Sequence, residues 1–284
     1  MYPAVPTHDP TAVEVEVQAA YLAMFPGGDR LFVPEVFGWA IECFTGHHRD
    51  YQAVDARYHD FEHTLQGTLC MARLMLGRHK AQAAPPIPQR MFELGVLAIL
   101  LHDTGYLKRR DDVEGTGAKY TITHVSRSAE FAGQLLAEKG GFRAAEIHAV
   151  QNMICCTGVT ANIAALSFSD EVEKVTGCAL ATADLLGQMA AEDYVAKLPT
   201  LYAEFAEAVR FTGNKQHYVA SFSSPADLIQ KTPTFWERLI RRKLEVDFGA
   251  LYRFLNNPYP DGPNYYLDRV AANMARVKEL TVEA

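Results

Sequence analysis

The chain has little that would send it to a membrane, a nucleic acid or an oxidising compartment. Of its 284 residues only five are cysteine, at 43, 70, 155, 156 and 178. The number is odd and no two form a Cys-x-x-Cys pair, which suits reduced thiols packed as small hydrophobes rather than a disulfide framework. The opening MYPAVPTHDPTAVEVEV lacks the basic and apolar stretches of a secretory signal, so a cytoplasmic location is expected. The longest apolar-rich run, Leu94 to Leu101, falls far short of the roughly 20 residues that a membrane-spanning helix needs. No transmembrane segment and no membrane partner are therefore expected. An excess of positive charge is missing too. The 27 lysines and arginines face 34 aspartates and glutamates, and a net charge of -7 gives no footprint for a nucleic-acid polymer or an anionic membrane. A small anionic substrate stays compatible with this balance, because a metal can supply local positive charge.

Strand-like alternation is also scarce. Apolar residues recur instead at three- and four-residue intervals, as in Val33, Val36, Phe37, Ala40, Ile41 and Phe44, which reads as an all-α fold. Gly27-Gly28, Gly46, Pro85 to Pro88, Gly115 to Gly117, Gly140-Gly141 and Pro258 to Pro263 punctuate the pattern. Helices are predicted at 11–25, 31–46, 59–79, 88–103, 124–139, 143–157, 169–189, 191–210, 233–255 and 264–280. With 49% hydrophobic and 21% charged residues the composition is globular, and neither a repeat nor a low-complexity linker divides the chain. One domain over residues 1–284 is expected, its last part, 200–284, a C-terminal helical extension.

Three segments carry chemistry. In YHDFEHTLQG, His59 and His63 stand four apart, a spacing that on a helix puts both imidazoles on one face. In LGVLAILLHDTGY, a hydrophobic helix delivers His102 and Asp103 at its end, just before Gly105. In GCALATADLLGQM, Asp184 interrupts another apolar helix. An ionised aspartate in such surroundings suffers desolvation unless it is paired, hydrogen-bonded or bound to a cation. Two imidazoles and two carboxylates from distant segments suit Zn, Mn, Fe, Co or Ni better than Ca.

The order His63, then His102-Asp103, then Asp184 resembles the signature of the HD superfamily of metal-dependent phosphohydrolases, over roughly residues 40 to 200. YHDFEHT is similar to the opening of cyclic-nucleotide phosphodiesterases and of small predicted HD phosphohydrolases, with Asp60 in place of an asparagine. The resemblance implies an HD-type, phosphodiesterase-like helical bundle with additional C-terminal helices. It makes His63, His102, Asp103 and Asp184 metal ligands, with Asp103 able to bridge a second ion, Mg or Mn. His59 becomes a general acid or, alternatively, an outer residue that orients a ligand. His124 falls where several HD enzymes place a histidine for a second metal or for substrate phosphate. His148 matches the distance to a further histidine in two-metal members, although another helical phase aligns Thr157 there.

The activity implied is hydrolysis of a phosphomonoester or phosphodiester of a small phosphorylated molecule, with a nucleotide as the expected substrate class. Two alternatives are an HD-type di-iron oxygenase, drawing on His124 and His148, and a non-catalytic metal- or nucleotide-binding sensor. The Gly-Tyr-Pro string of cyclic di-GMP phosphodiesterases is absent, as is the Glu-Asp pair that follows His-Asp in alarmone hydrolases. Tyr106 stands where cyclic-nucleotide phosphodiesterases carry another histidine. Lys108, Arg109 and Arg110 read as a solvated turn paired with Asp111 and Asp112, or as contacts for a substrate phosphate. Arg238, Arg241, Arg242 and Lys243 read as an ordinary exposed helix face. Beyond residue 190, Tyr194, Phe205, Tyr218 and Trp236, with Gln188 before them, are candidates to hold a base, although aromatics at helical spacing are more often core.

Overall fold

Asp9, Asp60, Asp170 and Ser224 each start a helix in the same way. The side-chain oxygen of each accepts a backbone N–H from the first turn, where the helix itself offers no partner. The computed structural model describes residue 2 and residues 4–282. Among these, ten α-helices occur: α1 (Pro10–Met24), α2 (Phe32–Phe44), α3 (Phe61–Lys80), α4 (Gln89–Leu101), α5 (His124–Lys139), α6 (Ala144–Ile154), α7 (Glu171–Met189), α8 (Tyr194–Thr212), α9 (Pro225–Phe235) and α10 (Tyr265–Val282). No strand forms among the described residues; two isolated bridges, Tyr51 with Arg109 and Asn256 with Asn264, are the only extended pairings there. No helix among them is long and apolar enough to cross a membrane.

The expected all-α class is what the chain adopts. α3 packs against α1, α4 and α7, and α4 also against α6 and α7. α5 lies on α6, while α10 contacts α7, α8 and α9. Their buried apolar side chains join into one cluster running from Val13 to Val277. In α4 every residue from Phe92 to Leu101 is buried, and each large aliphatic among them contributes about 1.5–3 kcal/mol. That anchorage fixes where α4 ends, and so where His102 and Asp103 stand.

Four expectations need correction. α3 begins at Phe61, because Asp60 caps it, so His59 lies before the helix and not on a shared face with His63. The helix expected at 233–255 begins eight residues earlier, at Pro225, and Pro233 sits inside it. It continues through two π-helical turns, Trp236–Ile240 and Lys243–Asp247, and breaks at Gly249 and Ala250, both at positive φ. Ser224-Pro225 carried the start signal, an N-cap followed by proline in the first turn, but Pro233 masked it. Finally, of the basic residues after the His-Asp pair, Arg109 and Arg110 are exposed as expected, but Lys108 is not. Lys108 is buried, 2.9 Å from Asp55 and bonded to the Gly115 carbonyl, while Arg110 binds the carbonyls of Gly46, His48 and Arg49. These contacts tie loops together. Lys243, expected on an exposed face, is likewise buried and donates to the Ala161 carbonyl.

Candidate metal centre

α3, the end of α4 and α7 bring four side chains to one point. His63 stands in the first turn of α3, His102 caps α4 and Asp103 follows it, while Asp184 lies inside α7. Two glycines permit the approach. A Cβ at Gly187 would lie 2.8 Å from the backbone of Gln66 and Gly67, so α7 meets α3 with backbone against backbone, and Asp184 is carried beside His63. A Cβ at Gly105 would lie 2.0 Å from the carbonyl oxygen of His124, which lets the start of α5 press onto the turn that follows Asp103. Gly105 therefore serves close packing; α4 has already ended at Leu101.

The donor separations are those of a coordination shell. His63 Nε2 lies 3.2 Å from Asp103 Oδ2 and 3.2 Å from Asp184 Oδ1. His102 Nε2 lies 3.3 Å and 3.5 Å from the same two oxygens. Ligands ~2.1 Å from one metal ion stand ~3.0 Å apart in an octahedron and ~3.4 Å apart in a tetrahedron, so these separations are polyhedron edges. His102 Nε2 and Asp103 Oδ2 are fully buried without a hydrogen-bond partner, which means that the groups converge on a shared point instead of bonding to each other. His102 Nδ1 donates to the Ile99 carbonyl at 2.7 Å, leaving the Nε2 lone pair for a metal. His63, His102 and Asp103 together make a buried group able to hold a metal ion, and Asp184 lies at its edge. The two carboxylates match the charge of one divalent cation.

Without that cation the cluster holds protons. Burial opposes a charge on His63, but the Asp103 and Asp184 carboxylates 3.2 Å from its Nε2 push its pKa up to about 10. Burial likewise disfavours the charged carboxylates, and the two imidazoles overcome it. They hold Asp103 and Asp184 well below the usual carboxylate range.

A second group of side chains stands beside the first. His59 Nδ1 is 2.6 Å from Glu204 Oε2, and because a carboxylate only accepts, Nδ1 carries the proton and Nε2 is left for the cavity. Glu204 comes from α8, is buried, and takes a further bond from the Tyr58 N–H at 2.7 Å. Burial works against its charge, but the charge of His59 and these hydrogen bonds hold its pKa low. The Tyr106 ring is sandwiched between His59 and His124, with centroids 4.5 and 4.7 Å away. Its buried hydroxyl has no partner among the described residues. His124 donates Nδ1–H to the Thr121 carbonyl and aims Nε2 at Asp103 Oδ1, 3.8 Å away. Asp103 thus faces the four-residue cluster with one oxygen and His124 with the other.

Of these groups, His59, His63, Asp103, Tyr106, His124 and Asp184 form the floor of a cavity of about 110 Å³. Its wall comes from α7, α8, α9 and the segment between α8 and α9: Leu185, Met189, Leu198, Phe205, Phe222 and Leu228 among others. Among the described residues, no lysine or arginine lines it. Gln188, Tyr194, Phe205 and Tyr218 do line it, whereas Trp236 packs elsewhere. Gln188 is occupied, accepting from the Tyr58 hydroxyl and donating to Asp184. His148 is exposed on α6 and is not brought to the site. Glu204 was missed by sequence reasoning, although its signal was present: it lies three residues after Leu201 and four before Ala208, beside the apolar stripe of α8.

All-α packing with buried histidines and aspartates at the foot of a cavity defines a phosphodiesterase-like helical fold. The phosphodiesterase domain of Salpingoeca rosetta rhodopsin phosphodiesterase shares it, with a TM-score of 0.58 over 97% of this chain and 88% of that one, at 14% identity. The chain belongs to the Npun_R2479-like family, whose sequence model matches residues 15–252. A search of curated proteins found no match.

Proposed function

We propose that the protein is a metal-dependent phosphohydrolase that cleaves a phosphomonoester or phosphodiester. The observation that carries this reading is the set of donor separations of 3.2–3.5 Å among four buried side chains, two of whose atoms, His102 Nε2 and Asp103 Oδ2, lack a hydrogen-bond partner. His63, His102, Asp103 and Asp184 hold the ion, Mn, Fe, Co, Ni or Zn by the chemistry of the donors. When bound, a divalent cation supplies Lewis acidity, polarising the phosphoryl oxygen and acidifying water. The protonated His59 ring donates its Nε2 proton to the departing oxygen; Glu204 stabilises the imidazolium beforehand and holds the Nδ1–H tautomer that remains. His124 and Asp103 Oδ1 form a place for a second ion, Mg or Mn, or for a phosphate oxygen. Tyr106 keeps the rings of His59 and His124 in register.

The wall narrows the substrate. With no lysine or arginine on it, the cavity favours one phosphoryl group over a polyphosphate. A nucleotide with a single phosphate, linear or cyclic, remains the proposed class on the family resemblance. The test is elemental analysis of purified protein followed by a panel of phosphomonoesters, phosphodiesters and nucleoside triphosphates with added Mn, Ni and Mg. Expected are one tightly held metal per chain and hydrolysis lost on chelation and restored by metal. Hydrolysis that persists in metal-free protein sinks the proposal. Two tightly held irons with oxygen uptake coupled to substrate loss would replace it by the oxygenase reading, and binding without turnover by the sensor.

A further inference from the structure

A second cleft, of about 350 Å³, lies at the other end of α3. His63 stands in the first turn of that helix and Arg78 in its last, a separation of fifteen residues, or about 22 Å at 1.5 Å per residue. The cleft is lined mainly by apolar side chains, among them Met24, Phe25, Met75, Ile87 and Phe92.

Arg78 is the anomaly in it. Its residue is only 3% exposed, yet its guanidinium makes no ion pair and no hydrogen bond among the described residues, and its Nε is fully buried without a partner. The nearest compensation is the Phe254 ring, 5.9 Å from the guanidinium carbon, together with the C-terminal end of the α3 dipole. Burial pulls the guanidinium pKa down, with no nearby carboxylate to oppose it. Arg90 shows what an arginine here ordinarily obtains: it bonds both Glu93 and Glu146. A buried, unpaired charge is costly, and arginine does not shed its proton to escape that cost. Among the described residues His79 is the only other ionisable group on the cleft, and no acidic residue among them lines it to compete for the guanidinium.

We propose that this cleft binds a small amphiphile whose carboxylate bonds Arg78 and whose hydrocarbon chain lies along Met24, Phe25, Met75 and Phe92. The apolar lining removes the chain from water, and the planar guanidinium fork takes the carboxylate at two points. The site is separate from the metal centre and does not depend on what that centre does.

Calorimetric titration of the full chain with decanoate, below its micelle concentration, tests it, with decanol and decylammonium as head-group controls. One decanoate per chain is expected, with both controls weaker by about tenfold or more, as loss of a charge-assisted hydrogen bond predicts. Arg78→Met should reduce decanoate to the affinity of decanol and leave decanol unchanged. Ile87→Glu supplies a carboxylate from the cleft's own lining; it should displace decanoate by a similar factor and raise Tm. No saturable decanoate binding, equal affinity for decanoate and decanol, or full affinity in Arg78→Met would each overturn the proposal. The last result would put the acid in the apolar cavity above the metal centre. An Ile87→Glu protein that binds decanoate as tightly as the parent would overturn it as well.

Discussion

The floor and the wall of the main cavity are built by opposite chemistry. The floor gathers four ionisable side chains from three helical segments, all buried and all aimed at one point. The wall, from α7, α8 and α9, is aliphatic and aromatic and carries no lysine or arginine. Charge on the floor is matched for a cation, and the wall adds shape without adding charge. On this division, loss of a floor residue abolishes metal binding, whereas loss of a residue from α8 changes turnover and spares the metal. Asp103→Ala gives the largest expected effect. It removes the carboxylate that faces His124 as well as His63 and His102, so metal affinity should fall by more than the ~100-fold that loss of a mere supporting residue costs, and hydrolysis should fall with it. Metal content by elemental analysis reads the outcome directly.

The boundary between floor and wall runs through His59 and Glu204. His59→Asn should lower kcat by about 10²–10⁴ for substrates with poor leaving groups, the contribution of a general acid, and leave metal content unchanged. An activated ester such as p-nitrophenyl phosphate should lose much less. Glu204→Gln should cost about 10–100-fold, because the amide can accept from only one of the two donors, His59 Nδ1 and the Tyr58 N–H, that the carboxylate now serves. If Glu204→Gln empties the metal site, the separation of floor from wall fails.

Packing supplies the next test. Gly187→Val places a branched side chain where a Cβ alone would meet the backbone of α3 at 2.8 Å. Overpacking should cost about 1–3 kcal/mol of stability, read as a lower Tm, and should pull Asp184 away from His63, so that metal binding weakens while His59 and Glu204 stay paired.

What sequence reasoning reached follows the same division. His63, His102, Asp103 and Asp184 were visible because charge in an apolar helix has few explanations. The helical class was visible because three- and four-residue periodicity fills the chain. Glu204 obeys the same desolvation rule, but it stands among Ala203, Ala206 and Glu207 on a helix with an exposed face, so its spacing from Leu201 and Ala208 was its one local mark. His59 was placed on a helix because spacing is legible and capping by Asp60 competes with it only at the boundary. The stacking of His59, Tyr106 and His124 joins three segments distant in sequence, which no local pattern records.

The last effect, about tenfold per pH unit, separates the metal-free floor from the loaded one. In the metal-free protein His63 titrates near 10 instead of 6.5, so its proton adds stability that is complete below 6.5 and is lost as pH rises through 10. Asp103 and Asp184 have lowered pKa values, so their share is present above 3.8 and lost only in acid. Between pH 6.5 and 9.5 the metal-free protein should therefore lose up to about 1.4 kcal/mol per unit, one proton's worth. A metal must displace that same proton, so its affinity should rise by about tenfold per unit over the same window. Thermal melts of chelated and metal-saturated protein across this range should diverge, the first falling and the second holding or rising. Parallel curves would mean that His63 gives up no proton to the metal, and would remove it from the floor.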